Sequence, residues 1–152
     1  MYKTRIIIDG DSCPVLKIIE RVSQKYQIKA ILFCSYCHLP NEKYHMEYRI
    51  VDSLPQAADM AIINFIDKED IVVTQDYGLA ALVLAKGAFA ISTNGYIYSN
   101  ENMDMLLYRR HLSSEIRKMK GRIKGPPKRN ETDDFEFEEN LIKLIEQKKY
   151  VQ

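Results

Sequence analysis

Arg5-Ile6-Ile7-Ile8-Asp9-Gly10-Asp11-Ser12-Cys13-Pro14 sets a β-branched run directly against two carboxylates, and that order decides how the fold is read. Arg5–Ile8 is short and continuous, the pattern of a buried first strand. Ser12 offers an N-cap, and Pro14 falls near a first helical turn, where its missing N–H costs little. Val15, Ile18, Ile19 and Val22 then recur at i, i+3, i+4 and i+7, which predicts an amphipathic helix over 14–25. A strand that feeds straight into a helix opens an α/β unit.

The alternation continues outward from there. Ile28–Cys34 and His45–Val51 read as strands, and Ser53 as the cap of a helix from Pro55 to about Ile66. Ile71–Thr74 is a fourth strand, followed by a helix over Leu79–Ala85 that Gly87 closes, and Ala88–Ile91 is a fifth strand. Asn94-Gly95 marks a tight turn before Tyr96–Tyr98. Asn102 to about Met119 reads as helix, the basic stretch about 109–129 as largely an adaptable loop, and Phe135–Lys149 as a closing helix. Strands alternating with helices argue an α/β fold with a mostly parallel central sheet.

The chain has 152 residues, of which 46% are apolar and 28% charged, the size and composition of one globular domain over 1–152. A chain of this length buries a full core without disulfide staples, which excludes a cysteine-framed scaffold, a collagen-like chain and a disordered tail. Every apolar run stops well short of the ~20 residues that a membrane span requires. Met1-Tyr2-Lys3-Thr4-Arg5 leads into the strand with no secretory h-region. Three cysteines, an odd number, point to reduced thiols and a cytoplasmic location.

The formal net charge of +1 hides three unequal stretches. Residues 1–108 carry ten Lys/Arg against thirteen Asp/Glu, a net of −3. Residues 109–129 carry Arg109, Arg110, Arg117, Lys118, Lys120, Arg122, Lys124, Lys128 and Arg129 against Glu115, a net of +8. Residues 130–152 return to −4, three Lys against seven acids. Such a block attracts polyanions, although many charge runs are only a solvated face. Gly121, Gly125 and Pro126-Pro127 make the stretch an adaptable surface, for which a phosphate-binding role and a merely solvated face are about equally expected.

In open parallel sheets, ligands bind outside the carboxyl ends of the strands. Asp9 and Asp11 follow the first strand, Asp52 the third, and Asp76 comes two residues after Thr74 in the fourth. Asp59 is the one charged residue in Pro55–Ile66; four residues past Pro55, it stands late for a cap and is expected to point into a shared site. Carboxylates ~4 Å apart repel by roughly 4 kcal/mol at an effective dielectric near 20. A cluster persists by raising a pKa, by hydrogen bonding, or by holding a divalent cation, and hard oxygen donors suit Mg²⁺ or Mn²⁺. For Asp11 and Asp76 taken singly, an N-cap role is the alternative.

Ile7-Ile8-Asp9-Gly10-Asp11-Ser12-Cys13-Pro14 resembles the Val-Asp-Ala-Asp-Ala-Cys-Pro opening of the YaiI/YqxD family of bacterial proteins. Ala57-Ala58-Asp59, Ile71–Asp76 with Leu79-Ala80-Ala81, Lys86-Gly87-Ala88, Asn94-Gly95 with Tyr98, Gly125-Pro126, and Asp133 with Phe137 and Leu141 follow in the family's order. That family looks similar to PIN-domain proteins, whose parallel α/β sandwich carries an acidic Mg²⁺ or Mn²⁺ site that in many members cleaves RNA. The resemblance implies a PIN-like three-layer sandwich. It implies Asp9, Asp59 and Asp76 as metal ligands, Asp11 beside them, and Thr74 supporting Asp76 by a hydrogen bond. The chain departs from the pattern at Gln56, where an acid is usual, at Met60, at Tyr77-Gly78 and at Asn94. With the acid at 56 replaced by an amide, one tightly held ion is the expectation.

Other signals point elsewhere. Cys34-Ser35-Tyr36-Cys37-His38 matches the C-x-x-C-H pattern of haem attachment, and with His45 it suggests a Zn²⁺ or redox site; without an export signal no haem is expected, and ordinary thiols at a strand end are favoured. Cys13 near a helix start would favour a thiolate, but a small packing residue is the simpler reading. Asp9 and Asp11 also fit a phosphatase nucleophile and its acid/base partner, although Lys86 is poorly placed for the lysine such an enzyme needs. Tyr96 and Tyr98 could stack on bases, but tyrosines there more often pack a sheet edge. The leading expectation is a Mg²⁺/Mn²⁺-dependent ribonuclease. A non-catalytic RNA-binding module and a small-molecule phosphatase are the alternatives.

Overall fold

The computed structural model describes residues 4–11, 13–121 and 128–151. Five strands lie in one parallel sheet: β1 (Arg5–Asp9), β2 (Lys29–Ser35), β3 (Glu47–Val51), β4 (Ile71–Val73) and β5 (Phe89–Ile91), in the order β3-β2-β1-β4-β5. Five helices connect or cover it: α1 (Leu16–Tyr26), α2 (Ala57–Phe65), α3 (Tyr77–Ala85), α4 (Asn100–Lys120) and α5 (Glu131–Val151), with one 3₁₀ turn at Tyr36–His38. The result is an α/β three-layer sandwich, as the alternation of strand and helix patterns requires.

Side-chain alternation along each strand divides the core in two. Ile6, Ile8, Leu32, Cys34 and Val73 face α1 and α5, whose Ile19, Val22, Phe137 and Leu141 meet them. Ile7, Ile31, Phe33 and Val72 face α2, α3 and the start of α4, through Ile62, Leu79, Val83 and Met103. Continuous apolar strands are what a sheet covered on both faces needs.

The boundaries shift for local reasons. Helix α1 begins at Leu16 and not at 14, because Pro14 and Val15 form a turn and Val15 takes the cap position without a side-chain bond. The expected Ser12 cap lies outside the described residues. Ser53 does not cap α2; its hydroxyl lies 3.4 Å from Cys37 Sγ, and Gln56, at φ 65°, takes the cap position. Asp59 therefore stands in the first turn of α2, where an acid is favoured by the helix dipole, and not late in the helix as the spacing from Pro55 implies. Helix α5 starts four residues before Phe135, because Asn130 and Asp133 exchange side chain-to-backbone bonds of 3.0 and 3.1 Å, a reciprocal cap.

The largest correction concerns the basic stretch. Ser99 and Asn102 form a capping box, and α4 runs from there without interruption to Lys120. Arg109, Arg110, Arg117, Lys118 and Lys120 therefore stand on a regular helix, as the helical pattern over Asn102 to about Met119 predicts, and the loop reading of 109–129 fails for them. Arg122, Lys124, Gly125 and Pro126-Pro127 lie outside the described residues. Among the described residues, no helix is long and apolar enough to cross a membrane.

Candidate active site

Helix α1 follows β1 on one face of the sheet, whereas α3 follows β4 on the other. Adjacent parallel strands whose connections leave to opposite sides open a crevice at their carboxyl ends, the usual ligand site of an open α/β sheet. Asp9 ends β1 there, and Thr74-Gln75-Asp76 leaves β4 beside it.

Thr74 ties the two strands together. Its hydroxyl donates to Asp9 Oδ2 at 2.8 Å and accepts from the Asp76 backbone N–H at 3.0 Å. The expected support of Asp76 is thus given to its backbone, while the hydroxyl proton goes to Asp9. The one proton of the Thr74 hydroxyl is thereby committed to Asp9, and the residue is buried. The N-cap alternative for Asp76 is realised: its Oδ1 accepts from Gly78 N–H at 2.8 Å and Leu79 N–H at 3.3 Å, starting α3.

The same carboxylate is also a site group. Burial, together with the charges of Asp76 and Asp9, pushes the Asp59 pKa up to about 6. Burial also raises Asp9, helped by the charges of Asp11 and Asp76 and opposed by the Thr74 hydrogen bond. Four carboxylates from three segments thus share one electrostatic environment. Asp11 is the outermost, about half exposed, with its Oδ1 3.4 Å from His38 Nδ1. Asp52 lines a small recess of about 190 Å³ with Asp11, His38 and Asp59.

His38 was not singled out for this site by its spacing. It belongs to the C-x-x-C-H stretch, but that motif is dismantled: Cys34 is buried in the core, Cys37 is exposed, and all three cysteines are free. His38 instead shares a 2.6 Å hydrogen bond with Ser35 Oγ at the carboxyl end of β2. The usable signal was positional: the end of the strand beside β1 delivers side chains to the same edge. Cys13 is the packing residue anticipated, its thiol pushed up to about 11 by burial.

The basic residues divide by location. Arg110 reaches the acids, Nη1 standing 3.9 Å from Asp76 Oδ1. Arg109, Arg110, Arg117, Ser113 and Ser114 of α4 face Gln75, Asp76 and Tyr77 across a cleft of about 580 Å³. A second recess of about 380 Å³ joins Gln56, Asp59, Asp76 and Arg110. Lys118 pairs with Glu115 on the exposed surface, Lys120 stands exposed at the end of α4, and Lys128 is exposed before α5. Arg129 binds Asp134 at 2.8 Å and Asn94 at 2.9 Å, pinning α5 to the Asn-Gly turn. Tyr98 is buried, edge-on to Tyr77 and Tyr96, so sheet-edge packing is its role; Tyr96 remains exposed. Lys86 lies at the far end of α3 with its ammonium on the Ile63 carbonyl, away from the acids.

Among the described residues, no three His, Cys, Asp or Glu side chains gather into a preformed metal cage. What is offered is the Asp59–Asp76 pair with Asp9 and Asp11 in electrostatic reach. That donor set fits a hard divalent ion of the Mg²⁺ kind, which keeps several waters and takes one or two carboxylates plus substrate phosphate.

The chain matches the sequence profile described as "Uncharacterized BCR, YaiI/YqxD family" over residues 7–147. It is 48% identical over 147 residues to a "UPF0178 protein" of Clostridium perfringens strain 13, covering 97% of this chain and 98% of that one. It is 47% identical over 141 residues to a relative in Clostridium tetani (93% and 96% covered). The figure is 43% over 143 residues for one in Alkaliphilus oremlandii (94% and 92%). Agreement over nearly the whole of both chains, at identities far above the level at which folds diverge, leaves one assignment: the chain belongs to the YaiI/YqxD family.

Proposed function

We propose that the protein is a Mg²⁺- or Mn²⁺-dependent phosphodiesterase acting on RNA. The observation that carries this reading is the convergence of Asp9, Asp11, Asp59 and Asp76 at the switch point of the sheet, beside an arginine-lined cleft. Asp59, Asp76 and Asp9 would hold the ion, which when bound supplies an activated water and neutralises charge on the departing oxygen. Thr74 fixes the Asp9 carboxylate in place, and the α3 N-terminus fixes that of Asp76. Arg110 and Arg117 would hold strand phosphates in the cleft, with Arg109 at its rim. Asp11, the outermost acid, stands at the mouth of the site with its Oδ1 3.4 Å from His38 Nδ1.

RNA cleavage in the presence of Mn²⁺ tests this. Asp76→Asn keeps a competent helix cap, and Asp9→Asn keeps a hydrogen-bond acceptor for Thr74, so both variants should fold. Each is expected to lose about a hundredfold or more in cleavage while retaining RNA affinity. Unchanged cleavage in either would remove the site from the mechanism. A second reading, a non-catalytic RNA-binding module, draws on Gln56 in place of an acid and on the absence of a three-acid cage among the described residues. It calls for salt-sensitive RNA binding with no turnover; ~5 single-strand phosphate contacts would give a slope near −3.5 in log K against log salt.

A further inference from the structure

Helix α4 carries two apolar faces. One side, through Met103 and Leu106, packs on the α2–α3 layer and continues into Arg110 at the acidic crevice. On the opposite side Met105, Tyr108, Leu112, Ile116 and Met119 form a continuous stripe at intervals of three, four, four and three residues. Each of the five is between 41% and 80% exposed. Single exposed apolar residues need no explanation, but an ordered stripe about 21 Å long does.

We infer that this stripe is the seam of a homodimer in which α4 packs antiparallel against α4 of a second copy of this chain. The spacing is its own mirror image about Leu112. In an antiparallel pair Met105 comes level with Met119, Tyr108 with Ile116, and Leu112 with its own counterpart on the two-fold axis. That is the self-complementarity an isologous interface requires. The charges select the same orientation. Glu101 and Asp104 lie in the first turns of α4, and Arg117, Lys118 and Lys120 in its last turns. Antiparallel packing brings each acidic end level with a basic end and opposes the two helix dipoles. Parallel packing would set like against like at both ends.

The seam also leaves the proposed site open. Arg110, Ser113, Ser114 and Arg117 line the cleft toward Asp76, on the side of the helix turned away from the stripe. The two copies would carry their crevices outward, on either side of a central helix pair.

Sedimentation velocity on the full chain, from low micromolar to the highest soluble concentration, tests the inference. The expected result is a reversible shift from the 17.7 kDa monomer toward about 35 kDa, twice that mass. Leu112→Glu sets two like charges on the axis of an apolar seam and is expected to weaken dimerisation by about a hundredfold or more. Its circular dichroism and melting should remain those of the wild-type monomer, because Leu112 lies outside both cores. Asp104→Lys is expected to weaken the dimer about tenfold and the addition of Lys118→Glu to restore it, a rescue that only antiparallel packing gives. A single 17.7 kDa species at every concentration overturns the proposal, and binding of that species to anionic vesicles would then assign the stripe to a lipid surface. A dimer indifferent to Leu112→Glu overturns it equally.

Discussion

Thr74 has one hydroxyl proton and gives it to Asp9, so Asp59 must meet its neighbours without such help. Its pKa is pushed up to about 6 by burial and by Asp76 and Asp9, against about 4 in an unfolded chain. Between those values the folded state holds a proton that the unfolded state has lost, so this group's contribution to stability is full below about pH 4 and lost as pH rises through about 6. Asp9, also raised, acts in the same sense. In chelator, therefore, the Asp59→Asn variant should melt with the wild type near pH 4 and above it beyond about pH 7. The gain is about 1 kcal/mol once screening at this half-open site is allowed for, or roughly 2–4 °C. An Asn variant less stable than the wild type at pH 7 would mean that Asp59 is satisfied by a partner and not strained by its neighbours.

Gly95 shows the same economy at the level of an element. Its φ of 89° is open to glycine, and a Cβ there would lie 2.6 Å from the Glu136 carbonyl oxygen of α5. The turn is closed from the other side by Asn140, whose amide donates to the Gly95 carbonyl at 2.7 Å. Gly95→Ala is thus expected to lift α5 from the sheet edge and cost about 2–4 kcal/mol, read as a fall in melting temperature; a neutral substitution would show that α5 docks independently of this turn. The Asn-Gly turn was legible because two residues suffice to signal it, and so were all five strands, β1 and β4 by their β-branched runs and the others by short stretches bounded by turn or helix patterns. Helix starts were less legible. The Asn130–Asp133 cap precedes any apolar periodicity, and Gln56 begins α2 through a backbone conformation that its side chain does not announce. The acids were found by their places at strand ends. Asp59 was found with the wrong argument, since it belongs to a first turn. The span of α4 was legible to within two residues, but the overlapping loop reading of 109–129 fails over 109–120, because a charge-rich helix face and a charged loop share one composition.

The sheet as a whole is polarised along its strands. At the carboxyl edge, Asp9, Asp59 and their neighbours repel. At the amino edge, Asp70 is fully paired: Arg5 Nε and Nη2 donate to it at 3.0 and 2.6 Å, and Asp67 N–H donates at 2.8 Å. Only 1% of the Asp70 side chain is exposed, and the Arg5 guanidinium also lies 4.3 Å from the centroid of the Phe65 ring. A parallel sheet sends its strand ends to two separate edges, so one edge can be strained for chemistry while the other secures the fold. Asp70→Asn leaves the partly buried Arg5 with only the exposed Asp67 carboxylate, 3.6 Å from its Nη2, and is expected to cost about 3 kcal/mol, some 6–12 °C in melting temperature. Above about pH 6 the Asp59→Asn change at the other edge should stabilise. The same chemical substitution is therefore expected to carry opposite signs at the two ends of one sheet. If both variants lost stability at neutral pH, the carboxyl-edge acids would be structural partners, and the case for a cation between them would lose its physical ground.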